Sequence, residues 1–141
     1  MNAVFQQTIR VDASHIDANG HVNNVTYLQW MQDVAHAHSI AVGYDDAKLE
    51  QMNATWFIRS HFVKYHRPAM EGDTLIAYTW PSRARHFNAL RKYKFVRQSD
   101  GATIASGESD WVYIDRGTGR PRKIEQEMLD RFPMVPAERE P

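Results

Sequence analysis

The sequence predicts an α+β domain: a curved antiparallel sheet of about five strands wrapped around one long central helix. Three observations lead there. Residues 23–42 carry apolar side chains at three- and four-residue steps, the period of a helix. Four runs downstream are rich in aromatic and β-branched residues and are separated by turn signals. A chain of 141 residues with 43% hydrophobic and 11% aromatic content has enough apolar mass to enclose such a helix in one core.

The elements follow in order. Residues 5–12 read as a strand on Phe5, Ile9 and Val11, and residues 14–20 read as a turn carrying Asp17, Asn19 and Gly20. In the helical run Tyr27, Leu28, Met31, Val34, Ala35, His38, Ala41 and Val42 form a stripe, while Trp30, Ala37 and Ile40 lie off it. A helix apolar over more than one face belongs inside a structure rather than on its surface. Asn23 or Asn24 suits the N-cap and Gly43 the C-terminal stop. Beyond Gly43 some 60 residues read as strands: 55–66, ended by Pro68, then 74–80, 87–97 and 102–115. Ser99-Asp100-Gly101 is a hairpin signal. Short turns are expected to place these four strands side by side as antiparallel neighbours. A single domain over residues 1–120 is therefore expected, with a short helix at 125–132 and a Pro/Glu-rich tail completing residues 121–141.

Composition removes several functional classes. There is no Cys, which excludes disulfides, thiolate catalysis, Cys-based zinc sites and iron–sulfur clusters. No run approaches the ~18 apolar residues of a membrane helix, and no secretory leader is evident, so the expected location is the cytoplasm. Seventeen Lys+Arg balance 17 Asp+Glu, against the basic excess of a nucleic-acid binder. The distribution is uneven, however. No acid occurs from Thr74 to Ser99, where Arg83, Arg85, Arg91, Lys92, Lys94 and Arg97 lie, and Arg116, Arg120, Arg122 and Lys123 follow. These are either solvated strand faces and loops or a handle for a polyanionic small molecule.

The densest polar cluster precedes the helix: His15-Ile-Asp17-Ala-Asn19-Gly20-His21-Val-Asn23-Asn24. Chemically it suits acyl transfer, because free N–H groups and the positive helix end stabilise an oxyanion while a carboxylate acts as base or nucleophile. Gly20 lets the backbone approach a substrate carbonyl. The same residues equally suit a plain turn followed by a helix cap.

Two motifs resolve that choice by resemblance. Residues 17–28, DANGHVNNVTYL, resemble the D-x-x-x-H-V-N-N-x-x-Y-[LI] signature of hotdog-fold acyl thioesterases of the 4-hydroxybenzoyl-CoA thioesterase-like group. Residues 65–75, YHRPAMEGDTL, resemble that family's Y-x-x-P-x-x-x-G-D-x-L stretch. The resemblance extends over roughly residues 3–115 and implies a hotdog fold and hydrolysis of a fatty-acyl or aryl-acyl thioester of CoA or acyl carrier protein. It implies Asp17 as catalytic base or nucleophile, with Asn19 and His21 orienting carboxylate and substrate and the Asn24 N–H as oxyanion donor. No cofactor and no metal are implied. Arg91 and Lys92 would meet the phosphates of CoA, and Trp56 and Phe57 would line the acyl tunnel with Phe62. A homodimer with sheets joined edge to edge is implied, extending to a dimer of dimers. The other readings are a hotdog enoyl-CoA hydratase or dehydratase, whose Asp–His dyad has a different spacing, and a non-catalytic acyl-binding domain.

The remaining histidines suit structural roles. His36 and His38 point some 200° apart on one helix and cannot chelate one ion. His38 lies on the apolar stripe, where a hydrogen-bonded core histidine is expected. Neither a dinucleotide-binding glycine motif, nor a P-loop, nor a G-x-S-x-G elbow occurs.

Overall fold

A computed structural model describes residues 3–141; Met1 and Asn2, the first two residues of the expected domain, lie outside the described residues. Strand β1 (Phe5–Arg10) leads through a 3-10 turn at Ala13–His15 into helix α1 (Asn24–Ala41). A second helix, α2 (Asp46–Gln51), precedes strands β2 (Ala54–Tyr65), β3 (Thr74–Arg85), β4 (Asn88–Arg97) and β5 (Thr103–Asp115). Helix α3 (Gln126–Arg131) and a 3-10 turn at Ala137–Arg139 follow. The five strands form one antiparallel sheet in the order β1-β3-β4-β5-β2.

Helix α1 starts and stops where its caps dictate. The Asn23 side chain accepts from the Val25 N–H at 2.9 Å, a cap worth about 1 kcal/mol. Gly43 takes φ +97°, and the Tyr44 N–H reaches back to Ser39 O at 2.8 Å, closing the last turn. Between these ends Tyr27, Trp30, Met31, Val34 and Ala35 are buried against Leu75 and Ala77 of β3, Tyr93 and Phe95 of β4, and Ile104 and Ala105 of β5. Small side chains on the inner face let the helix sit close. At Gly107 an added Cβ would lie 2.7 Å from Phe62 O and 3.1 Å from Met31 Cε.

Two expectations need correcting. The chain after Gly43 is not all strand: Asp45 caps α2 by accepting from the Lys48 N–H at 2.8 Å, and Leu49 is buried. One buried residue in six gives no helical period to read in the sequence. More consequentially, β2 does not neighbour β3. It crosses to the opposite edge and pairs with β5, from Ala54↔Asp115 to Tyr65↔Ala105. The connection over residues 66–73 spends its backbone groups elsewhere than in a hairpin. His66 N–H and Arg67 N–H both donate to Ile104 O, Ala69 O accepts from Val22 N–H, and Gly72 N–H donates to Val11 O. The connection therefore reverses the chain across the ends of β5 and β4 rather than onto a neighbouring strand.

The C-terminal segment is part of the packing. Ile124 and Met128 are buried in a second cluster with Tyr44, Leu49, Ala54 and Tyr113. The Val135 N–H donates to Pro81 O at 2.9 Å, and Lys92 Nζ pairs with Glu140 at 2.8 Å. From α3 onward the chain thus straps over the end of β3 to reach β4.

Candidate active site

The polar cluster before α1 folds into a tight hairpin. Ile16 and Val22 bridge, the Asp17 N–H donates to His21 O at 3.0 Å, and the Gly20 N–H donates to Asp17 O at 3.0 Å. Gly20 sits at φ +83°, a conformation that side-chain-bearing residues rarely adopt. Asp17 is half-buried, and its Oδ1 accepts from the Asn19 N–H at 2.8 Å. That bond fixes the carboxylate, leaving Oδ2 without a protein donor among the described residues. The hairpin is held to the helix by Asn23 N–H donating to His15 O at 2.9 Å. His15 itself is taken up locally: its Nδ1 accepts from the Asp12 N–H, and its ring meets Trp30 edge-on at 5.0 Å.

Asp17, Asn19, His21 and Asn24 are therefore brought together on one hairpin and the helix start that it feeds. Asn24 is the first residue of α1, and among the described residues its N–H has no acceptor, as expected of an amide in the first turn. Its carbonyl is engaged: Tyr65 Oη–H donates to Asn24 O at 2.9 Å. The Tyr65 ring also packs edge-to-face on Tyr27 at 5.4 Å. This explains why the second motif accompanies the first. Tyr65 pins the helix start, and Ala69 O accepts from Val22 N–H. Asp73 pairs with Arg97 at 3.2 Å and accepts from the Met70 N–H, holding the turn between them. Tyr65 is the site-shaping residue that reasoning over single residues missed, although it stands in the quoted motif.

The four substrate-binding candidates are not gathered there. Trp56 lines a cavity of about 220 Å³ at the other end of α1, walled also by Leu49, Leu90, Trp111, Met128 and Phe132. Its neighbour Phe57 points the opposite way, as strand alternation requires, and is 59% exposed. Arg91 and Lys92 do not form the outward pair expected of a phosphate handle. Lys92 is ion-paired to Glu140. Arg91 faces inward and lines the same cavity, its Nη1 donating to His38 Nδ1 at 2.9 Å and to Thr79 Oγ1 at 3.0 Å. Burial, aided by the Arg91 charge, pushes the His38 imidazole down to about 3, so it is a neutral acceptor with its proton on Nε2. The expectation that His38 is a hydrogen-bonded core residue is met, and it also stacks on Phe5 at 5.0 Å.

Other members of the basic stretches are spent on structure. Arg97 holds Asp73 and Asp100, Arg122 holds Glu125 and Met52 O, and Arg116 holds Ala54 O. Arg83, Arg85, Arg120 and Lys123 are exposed and make no ion pair among the described residues. The Ile124 N–H donates to His86 O, so Lys123 and Arg85 flank one backbone contact. No group of three or more metal-ligating side chains is assembled among the described residues.

Comparison with known proteins places this arrangement. The family model of the acyl-ACP thioesterase N-terminal domain matches residues 2–132. Escherichia coli (strain K12) long-chain acyl-CoA thioesterase FadM is 21% identical over 128 residues, covering 91% of this chain and 96% of that protein. A solved structure of the Staphylococcus aureus hypothetical protein SAV2348 in complex with CoA superposes with a TM-score of 0.85 at 17% identity, covering 98% of this chain and 86% of that one. An acyl-ACP thioesterase from Bacteroides thetaiotaomicron VPI-5482 superposes with a TM-score of 0.85 at 19% identity. It covers 99% of this chain but 57% of that longer one, so the present chain spans little more than half its length. The sheet wrapped on one helix, together with these thioesterase matches, identifies a hotdog-fold thioester hydrolase. Within that class the chain belongs to the acyl-ACP thioesterase N-terminal domain family.

No helix among the described residues is long and apolar enough to cross a membrane.

Proposed function

We propose that this protein hydrolyses acyl-CoA thioesters, with acyl-ACP as the alternative carrier, and that Asp17 is its base or nucleophile. The observation that carries the reading is the Asp17 carboxylate, held by the Asn19 N–H beside a helix start whose Asn24 N–H has no acceptor. In the base form of the reaction, Asp17 takes a proton from water and the hydroxide oxygen attacks the thioester carbonyl. The oxyanion is stabilised by the Asn24 N–H and the positive end of α1. The C–S bond then breaks and the carrier leaves as a thiolate, with the proton returned from Asp17. His21, half-buried next to the turn, orients carboxylate and substrate. In the nucleophile form, Asp17 Oδ2 attacks the carbonyl directly and the resulting anhydride is hydrolysed.

The phosphates of CoA would meet exposed cations, and Arg85 and Lys123 are better placed for this than Arg91 or Lys92. With no Cys to oxidise and a FadM-like relative, the cytoplasm is the compartment we assign. A homodimer is expected through β2. That strand is an open twelve-residue edge, and Phe57 and Phe62 on it are 59% and 63% exposed. Because Tyr65 at its end touches the start of α1, pairing along β2 would set a second subunit beside the Asp17 hairpin.

The test is thiol release from a panel of fatty-acyl and aryl-acyl CoA esters, wild type beside Asp17→Asn. Turnover in the wild type that falls by about 10²–10⁴ in the variant is the expected result. Wild type without turnover on any ester would overturn the proposal, and undiminished turnover in the variant would move the chemistry off Asp17.

A further inference from the structure

The cavity at the C-terminal end of α1 contains a charge that the protein does not balance. Its walls are largely apolar: Leu49, Trp56, Leu90, Trp111, Met128 and Phe132 contribute most of them. Arg91 lines it from β4, and its guanidinium is buried deeply enough to pull it below its ordinary value. No carboxylate pairs with Arg91 among the described residues. The carboxylate on the cavity wall, Asp46, stands exposed at 82% and is taken by His36 at 3.1 Å. His38 and Thr79, the two groups that do bond Arg91, are both neutral and use only Nη1. The hydrogens on Nε and Nη2, the edge that grips a carboxylate in two parallel bonds, have no protein acceptor. The ring of Phe132, 5.7 Å from the guanidinium carbon, supplies a cation–π contact but no anion.

Arg91 is only partly exposed, and its unbonded Nε and Nη2 are accessible rather than sealed in the packing, so a cation without a counter-ion lines an otherwise apolar cavity and favours an anion there. We propose that this cavity binds an apolar molecule bearing a carboxylate, which the Nε–Nη2 edge of Arg91 grips. Size points the same way: an engineered apolar cavity of ~150 Å³ holds benzene. About 220 Å³ therefore suits an aryl acid or a medium-chain acid. Two sources share this chemistry. One is a free carboxylic acid, the class of molecule a thioesterase releases. The other is a carboxylate at the far end of an acyl group still joined to its carrier, which rests on the thioesterase reading; the first source does not.

Trp56 and Trp111 line the cavity, so intrinsic fluorescence reports its occupancy. Titration of octanoate and octanamide, and of benzoate and benzamide, is compared in wild type and in Arg91→Met. The acid of at least one pair should bind about tenfold or more tightly than its amide, and the preference should fall to about one in the variant. Equal affinity of acid and amide in the wild type would overturn the proposal, with no variant needed. So would a preference that survives Arg91→Met, or the absence of binding by every acid. The source is read from thiol release with a terminal carboxyacyl-CoA and its methyl ester. A lower KM for the acid that Arg91→Met abolishes assigns the carboxylate to the acyl group. Equal KM values beside a positive titration assign it to free acid. A positive titration with no thiol release from any ester would keep this site while removing the thioesterase reading.

Discussion

A methyl group added at Gly107 has no room on either side: a backbone oxygen on one strand and the Met31 side chain on the helix both stand in its way. Gly107→Ala should therefore lower stability by about 1–3 kcal/mol, read as a lower denaturant midpoint without a change in slope. His38 gives a second prediction. It is 4% exposed, and its folded value of about 3 lies below the ordinary histidine value of ~6.5. Between the two the unfolded chain binds the extra proton and the folded chain does not. Stability is thus complete above about pH 6.5 and is lost as pH falls, at about 1.4 kcal/mol per unit. Urea melts between about pH 6.5 and 4.5 should show that slope, and His38→Gln should flatten it. The Asp17 hairpin was readable in the sequence as one cluster because its residues lie within eight positions of one another, and a turn that short leaves little freedom in how Asp17 and Asn24 are disposed. The Arg91 cavity was not. Its walls come from α1, α2, four strands and the C-terminal segment, and only the packed fold turns Arg91 inward.

Element by element, legibility followed how local each determinant is. Helix α1 was readable from its stripe, its Asn23 cap and its Gly43 stop. Asn23→Ala should cost about 1 kcal/mol, visible as a lower thermal midpoint. It should also lower turnover, because the cap sets where the first-turn N–H groups point. Strands β4 and β5 were readable from the Ser99-Asp100-Gly101 turn between them. The partner of β2 was not, since nothing in residues 54–65 indicates that residues 103–115 will lie alongside. What decides it is the connection, where Val11 and Val22 engage the backbone of residues 66–73. Strand β3 runs to Arg85, beyond the expected end at Trp80, because Pro81 falls where the β3–β4 register shifts. A proline there leaves the ladder without breaking the strand.

For the whole molecule, the open β2 edge and the C-terminal strap matter most. Replacing both Phe57 and Phe62 with Lys should convert the proposed dimer to monomer in sedimentation, since it places charge on an edge otherwise offering apolar rings. If a second subunit completes the Asp17 site, turnover should fall with the dimer. A sedimentation profile already monomeric in the wild type would remove the dimer from the reading. Removing residues 122–141 should expose the second core cluster, taking away Ile124 and Met128 along with three cavity walls. The expected outcome is a protein that melts earlier and no longer shows a fluorescence change with carboxylic acids.

The pairing of β2 with β5 also has a consequence in time. The ribosome makes β2 first, and 50 residues separate its last position, Tyr65, from Asp115, where β5 ends. At about 5–20 residues per second the strand waits roughly 3–10 s for its partner. Through that interval both edges of β2 are open, with Phe57 and Phe62 on the strand. The risk of a wrong partner is highest on crowded polysomes, where neighbouring chains are at the same stage. Slower translation of residues 66–115 should lengthen that wait and lower the yield of folded protein.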